Sequence, residues 1–172
     1  MRCGGPGDDT ERRVSEMAAP ELVVGYPILG GAFLMAGRAA ISVKQALEAA
    51  GLEQGLVRRA GICAYEAEMN IVIYGQSGTL TLELYPTEVR IIAQDRGPGI
   101  PDVAEALRPG FSTASEKVRG LGFGAGMGLP NMERHADRLH IETVLGMGTR
   151  VVMHFARQAR EDDAAGGDCT AA

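Results

Sequence analysis

Gly120-Leu121-Gly122-Phe123-Gly124-Ala125-Gly126-Met127-Gly128-Leu129 sets a glycine at every second position five times over. Such a run is costly in chain entropy and suits the interior of neither helix nor strand. It leads directly into a helical pattern over Leu129–Arg138, with Pro130 at a first-turn position where a missing N–H is tolerated. Free backbone N–H groups followed by a helix N-terminus make an anion cradle suited to phosphates. The interleaved Leu121, Phe123 and Met127 argue against a plain flexible linker. Two commoner phosphate motifs do not fit. The P-loop pattern is absent, because Lys117 precedes the glycines instead of following them. Gly120, Gly122 and Ala125 match G-x-G-x-x-A, but Phe111–Arg119 ahead of them is not the strand that a dinucleotide fingerprint requires.

Working outward, two strands follow at Leu139–Leu145 and Thr149–Phe155, joined at Gly146-Met147-Gly148. Upstream, Asp95 to Gly128 is dense in Gly and Pro and poor in periodicity, and a loop that long inside a compact domain is functional or disordered. Ahead of it lie strands at Thr79–Tyr85 and Val89–Gln94, with Pro86-Thr87 as the turn signal. Earlier still come a β-like run Leu22–Pro27, a helix Phe33–Ala50 stopped at Gly51, and a second long helix Glu53–Tyr74. Strands therefore arrive largely as hairpin pairs, which favours an α+β sandwich over a doubly wound parallel sheet. Residues 1–20 and 157–172, rich in Gly, Pro, Ala and charge, are expected to be flexible tails around a domain spanning 21–156.

A chain of 172 residues suits one domain. Hydrophobic content of 45% with 23% charged residues is ordinary for a globular protein. No apolar run approaches the roughly 20 residues of a membrane helix, and Met1–Gly5 lacks the apolar stretch of a secretory signal, so no membrane partner and a cytoplasmic location are expected. A net charge of −5 with scattered basic residues argues against nucleic acid as a partner. Cys3, Cys63 and Cys169 form no C-x-x-C pair, and His135, His140 and His154 show no metal-ligand spacing.

Within the second helix, Glu66 and Asn70 stand four apart and share a face with Ile62, Met69 and Ile73. Ala64 and Ile71 make the opposite side apolar too, so the helix is expected to be largely buried. A buried carboxylate without a partner costs several kcal/mol, so Glu66 needs a compensating partner or a task. Glu68 points away from this pair and is expected to be an ordinary solvated charge. The second feature is Asp95-Arg96-Gly97-Pro98-Gly99-Ile100, read as directly following a strand, where two glycines around a proline let a flat ligand approach the backbone. An acid there can accept a hydrogen bond from an amino group.

These features, in this order, resemble the GHKL ATPase/kinase superfamily, whose nucleotide fold is called the Bergerat fold. Glu66-x-x-x-Asn70 resembles the N box, Asp95-x-Gly97-x-Gly99-Ile100 the first glycine box and Gly124-x-Gly126-x-Gly128-Leu129 the second, and Gly148-Thr149 is similar to the final box. The resemblance covers about residues 21–156 and implies a two-layer sandwich, with a mixed, mostly antiparallel sheet and helices on one face. Gly110-Phe111-Ser112-Thr113-Ala114 looks most like the anti-sigma-factor serine/threonine kinases of bacterial partner-switching systems. The resemblance implies ATP and Mg²⁺ as cofactors, with Asn70 holding the metal ion and Glu66 acting as general base. It further implies Asp95 and Thr149 on the adenine, Gly97, Gly99 and Ile100 beside it, and Gly122, Gly124, Gly126, Met127, Gly128 and Leu129 as a lid over the phosphates. Lys117 and Arg119 beside the lid are candidates to neutralise the γ-phosphate. The implied partner is a small regulatory protein, a STAS-domain antagonist or a sigma factor, with homodimerisation left open. A nucleotide-gated binding module and a stand-alone ATPase are the alternatives.

Overall fold

A computed structural model describes residues 19–157. Apart from residues 19, 20 and 157, the expected tails lie outside the described residues. The chain runs β1 (Leu22–Leu29), a 3-10 turn (Phe33–Met35), α1 (Arg38–Ala49), α2 (Gln54–Tyr74), β2 (Ser77–Leu84), β3 (Glu88–Arg96), α3 (Val103–Ala106), α4 (Glu116–Gly120), α5 (Gly128–His135), β4 (Arg138–Val144) and β5 (Gly148–Ala156). The five strands form one sheet in the order β1-β2-β3-β5-β4, and every neighbouring pair is antiparallel. Pro27, which lacks an N–H, sits on the edge strand β1, where a missing donor is tolerated.

Alternation along the strands sends Leu80, Leu82, Leu84, Val89, Ile91, Val151, Met153 and Phe155 into one core, shared with Val43 and Leu47 of α1 and Met132 of α5. Each such side chain contributes about 1.5–3 kcal/mol when fully buried, so this shared core holds the helices to the sheet. The long α2 is the central element, buried from Leu56 to Val72 and packed on α1, α5 and four of the strands. Arg59 of α2 bonds the Asp137 carboxylate (2.6 Å) and the His135 carbonyl (3.1 Å), and its guanidinium lies over the Phe155 ring. That contact fastens the end of α5 beside α2. No helix among the described residues is long and apolar enough to cross a membrane.

Several boundaries differ from the periodicity reading, each for a local reason. The first helix begins at Arg38 instead of Phe33, because Gly37 takes a left-handed φ of 91° and breaks the pattern. Glu53 is the N-cap of α2, accepting from the N–H groups of Gly55 and Leu56. Strand β3 continues through Asp95 and Arg96, so the acid lies within the strand, opposite Gly78 of β2. The long loop is not featureless. It holds α3 and α4, capped by the side chains of Asp102 and Ser115, which are too short to register as periodicity. The helix α5 ends at His135, and Arg138 already belongs to β4.

Candidate functional site

A cleft of about 430 Å³ opens between α2, the end of β3, the start of β5 and the glycine run. Glu66, Asn70, Asp95, Gly99, Ile100, Gly122, Gly124, Gly126, Met127, Gly128, Leu129 and Thr149 all line it. Residues up to 83 positions apart thus share one wall-to-wall space, mostly apolar with a few convergent polar groups, as ligand clefts commonly are. Gly97 is the exception among the residues singled out in the sequence. It stands behind Asp95, where an added Cβ would come within 2.7 Å of Asp95 Oδ1 and 3.2 Å of the Tyr74 carbonyl. Its smallness lets the turn close against α2 and does not shape the cleft wall.

Asp95 is half-buried, and this burial pushes its carboxyl pKa up, while the Thr149 backbone N–H hydrogen-bonded to it pulls the other way. Thr143 of β4 supports that corner. Its hydroxyl accepts from the Ile100 N–H at 2.8 Å and lies 3.2 Å from the Thr149 hydroxyl. The Gly146 N–H donates to the Pro98 carbonyl at 2.8 Å, so the β4–β5 hairpin braces the loop after β3. Thr143 was legible only as the cross-strand partner of Thr149 once the hairpin register is known.

Glu66 and Asn70 line the cleft from α2, both half-buried. Met69 and Ile73 line the cleft with them, whereas Ile62 lies in the groove between α1 and α2. Gly128 begins α5 directly against this pair. A Cβ there would lie 3.1 Å from Asn70 Oδ1 and 3.5 Å from Glu66 Oε2. Asn131, in the first turns of α5, donates from Nδ2 to Glu66 Oε1 at 2.6 Å.

The alternation of the glycine run has a backbone cause. Gly122, Gly124 and Gly126 take φ of 87°, 76° and 73°, the left-handed region that side chains disfavour. Gly126 is also pressed on the Phe111 carbonyl, where no Cβ fits, and its own carbonyl accepts from the Gly110 N–H at 2.9 Å. The Phe123 ring stacks on Phe33 with centroids 5.7 Å apart. Ser112 lies 3.2 Å from the Tyr74 hydroxyl and accepts from the Ala114 N–H, so the Gly110–Ala114 segment is bonded to the end of α2.

No Lys, Arg or His is among the residues lining the cleft, which carries Glu66, Asp95, Asp102 and Glu105 instead. Lys117 and Arg119 lie on α4 outside that lining. The groups of the cleft that could face an anion are therefore backbone N–H groups and the N-terminus of α5. Met127 makes no side-chain cap at that terminus. Cys63 takes no part, since it is fully buried and burial pushes its thiol up to about 12.

Glu68 overturns its sequence reading. It is only 2% exposed, and its carboxylate accepts from the N–H groups of Ala39 (3.3 Å) and Ala40 (2.8 Å) at the start of α1. Gly37 offers no side chain to cap that helix, and Glu68 supplies the acceptor from across the core.

Comparison with known proteins bears on this arrangement. A family model described as a histidine kinase-like ATPase domain matches residues 36–155. The serine/threonine-protein kinase RsbT of Bacillus subtilis (strain 168) is 34% identical over 103 residues, 56% of this chain and 71% of that protein. An anti-sigma F factor of Clostridium novyi (strain NT) is 32% identical over 94 residues, 51% of this chain and 62% of the relative. Among solved structures, a chain in the SiaB–SiaC complex from Pseudomonas aeruginosa superposes with a TM-score of 0.54 at 11% identity, covering 85% of this chain and 95% of that one. That likeness is one of fold.

Proposed function

Because this chain belongs to the histidine kinase-like ATPase domain family, we propose that it binds Mg-ATP in the cleft and transfers the γ-phosphoryl group to a serine or threonine of a small regulatory protein. Nucleotide use follows from the family, and the relative RsbT is a serine/threonine-protein kinase. The observation that carries the reading is the meeting of Glu66, Asn70 and the Gly128 backbone at one end of the cleft, with Asp95 and Thr149 at the other. In this reading residues 21–156 form the working domain.

Asp95 accepts from the adenine amino group, and Thr149 completes that recognition beside Gly99 and Ile100. The run from Gly122 to Leu129, Met127 included, closes over the phosphates with its N–H groups. Asn70 Oδ1 is a hard oxygen donor suited to Mg²⁺, an ion that takes few protein ligands and keeps water and phosphate oxygens. The donors fit such an ion by their chemistry, an amide oxygen of Asn70 and a carboxylate of Glu66 lining the same cleft. When bound, the ion neutralises phosphate charge that no basic side chain of the cleft can. Glu66 takes the proton of the attacking hydroxyl, a contribution of about 10²–10⁴-fold. The name of the anti-sigma relative suggests a sigma factor as partner, and a STAS-type antagonist is the other candidate in this reading.

The test is to incubate the full chain with labelled Mg-ATP and candidate STAS-type proteins. Label on a partner serine or threonine is expected, and transfer surviving Glu66→Gln at full rate sinks the mechanism. Calorimetry that detects no nucleotide binding ends the whole reading. A second reading, nucleotide-gated docking without transfer, is favoured by the 54% and 41% exposure of Leu121 and Met127 at the lid. It predicts ATP-dependent partner affinity with no phosphorylated product, while phosphate release with no label reaching any partner would mark a plain ATPase.

A further inference from the structure

We infer that Asn131 is a positioning residue, which clamps one oxygen of Glu66 so that the other faces the start of α5, and thereby couples the base to the seat of the glycine run. This rests on the reading of Glu66 as general base. The clamp is specific in its atoms. Asn131 Nδ2 donates to Oε1 at 2.6 Å, a short, charge-assisted contact. Oε2 is the oxygen turned toward Gly128, 3.5 Å from where a Cβ there would lie, on the side where Asn70 also stands. A carboxylate on a flexible Glu side chain samples several rotamers, and holding one oxygen fixes the direction of the other. In the transfer step the substrate hydroxyl oxygen bonds to the γ-phosphorus, and the bond from that phosphorus to the bridging oxygen of ADP breaks. ADP leaves with the electron pair, and the hydroxyl proton passes to Oε2.

The placement of Asn131 gives the clamp a second property. Its own N–H donates to the Met127 carbonyl at 2.9 Å, so Asn131 lies one helical turn beyond the last residues of the glycine run. A Cβ at Gly128 would meet Asn70 and Glu66, and Asn131 holds Glu66 from the same helix. A shift of the run that lifts the start of α5 therefore releases Glu66 from its partner. None of the four glycine and Asn boxes includes Asn131, and its role is set by a contact 65 residues distant in sequence.

The test uses the full chain as parent, Glu66→Gln, Asn131→Leu and the double variant. Leucine has nearly the shape of asparagine and no donor. Phosphate release from labelled Mg-ATP, with water as acceptor, is expected to fall about tenfold in Asn131→Leu, the loss of one hydrogen bond to a charged group. Affinity for Mg-ADP by calorimetry should stay within about twofold, since the clamp faces the base and not the adenine end. In the Glu66→Gln background, Asn131→Leu should change release no further, because its effect passes through Glu66. An independent readout is the side-chain amide resonance of Asn131 in the nucleotide-free protein, whose protons should exchange with solvent more slowly in the parent than in Glu66→Ala, where the acceptor is gone. An equal fall in both backgrounds, a parallel loss of Mg-ADP affinity, or an Asn131 amide that exchanges as fast in the parent as in Glu66→Ala would overturn the clamp. Release undiminished in Glu66→Gln alone overturns instead the base reading beneath it, and where water accepts too poorly to give release the Asn131 resonance decides.

Discussion

Glu66 and Glu68 stand two residues apart on α2 and meet opposite surroundings. On the side facing α1, Glu68 is buried with both oxygens occupied by backbone N–H groups of Ala39 and Ala40. On the cleft side, Glu66 is half-buried with one oxygen bonded by Asn131 and the other turned toward Gly128. Charge-assisted bonds to a helix N-terminus offset the desolvation of Glu68. A carboxylate buried and bonded in that way, outside the cleft lining, holds a fold together but is out of reach of a substrate proton. The comparison teaches that the chemistry of an acid on this helix is decided by what surrounds it.

The largest expected effect tests the cleft side. Glu66→Gln should lower phosphoryl transfer by about a hundredfold or more, with ATP affinity and thermal midpoint nearly unchanged. The comparison breaks if the variant instead unfolds. Next, Gly128→Ala puts a methyl within 3.1 Å of Asn70 Oδ1. Calorimetry should then show ATP binding weaker by about tenfold or more, of the order of one lost polar contact, while α1 is untouched.

The α1 side is tested by Glu68→Ala, which leaves two N–H groups of α1 without their acceptor. Urea denaturation should show a loss of about 1–3 kcal/mol, with the transfer rate per folded molecule preserved. A fall in transfer without a fall in stability would erase the distinction between the two acids.

The smallest effect sharpens the comparison with a third acid. Asp95 is half-buried with a single backbone donor from Thr149, and burial raises its pKa above the usual 3.8. A carboxyl with a raised folded-state pKa contributes stability that is fully present below its unfolded pKa and lost as pH rises through the folded one. Asp95→Asn should therefore melt no lower than the parent at pH 7, and any advantage should close as pH falls through the raised pKa. Nucleotide affinity should drop in the same variant, which scanning calorimetry and titration can read side by side.

The glycine run and its downstream helix were legible because their signals are local. A glycine at alternate positions reports left-handed backbone, and Gly122, Gly124 and Gly126 adopt it. Glu66 and Asn70, four apart, share the cleft wall as helical spacing requires. The hairpin pairs β2–β3 and β4–β5 were likewise readable from turn residues between alternating runs. The short helices α3 and α4 escaped periodicity, although Asp102 three residues before Glu105 is a capping signal.

Sequence alone determined the order of the five strands and the three longer helices, the α+β class and, Gly97 apart, the set of residues that line one cleft, because propensity and spacing act over a few neighbouring residues. Tertiary structure alone decided the insertion of β5 between β3 and β4, the withdrawal of Gly97 from the cleft wall, and the contrast between Glu66 and Glu68. The reason is one of range. A helical pattern shows which side chains share a face, but not what lies across from that face. Glu68 meets Ala40 at a separation of 28 residues and Glu66 meets Asn131 at 65, and those partners exist only once the core has brought α1 and α5 against α2.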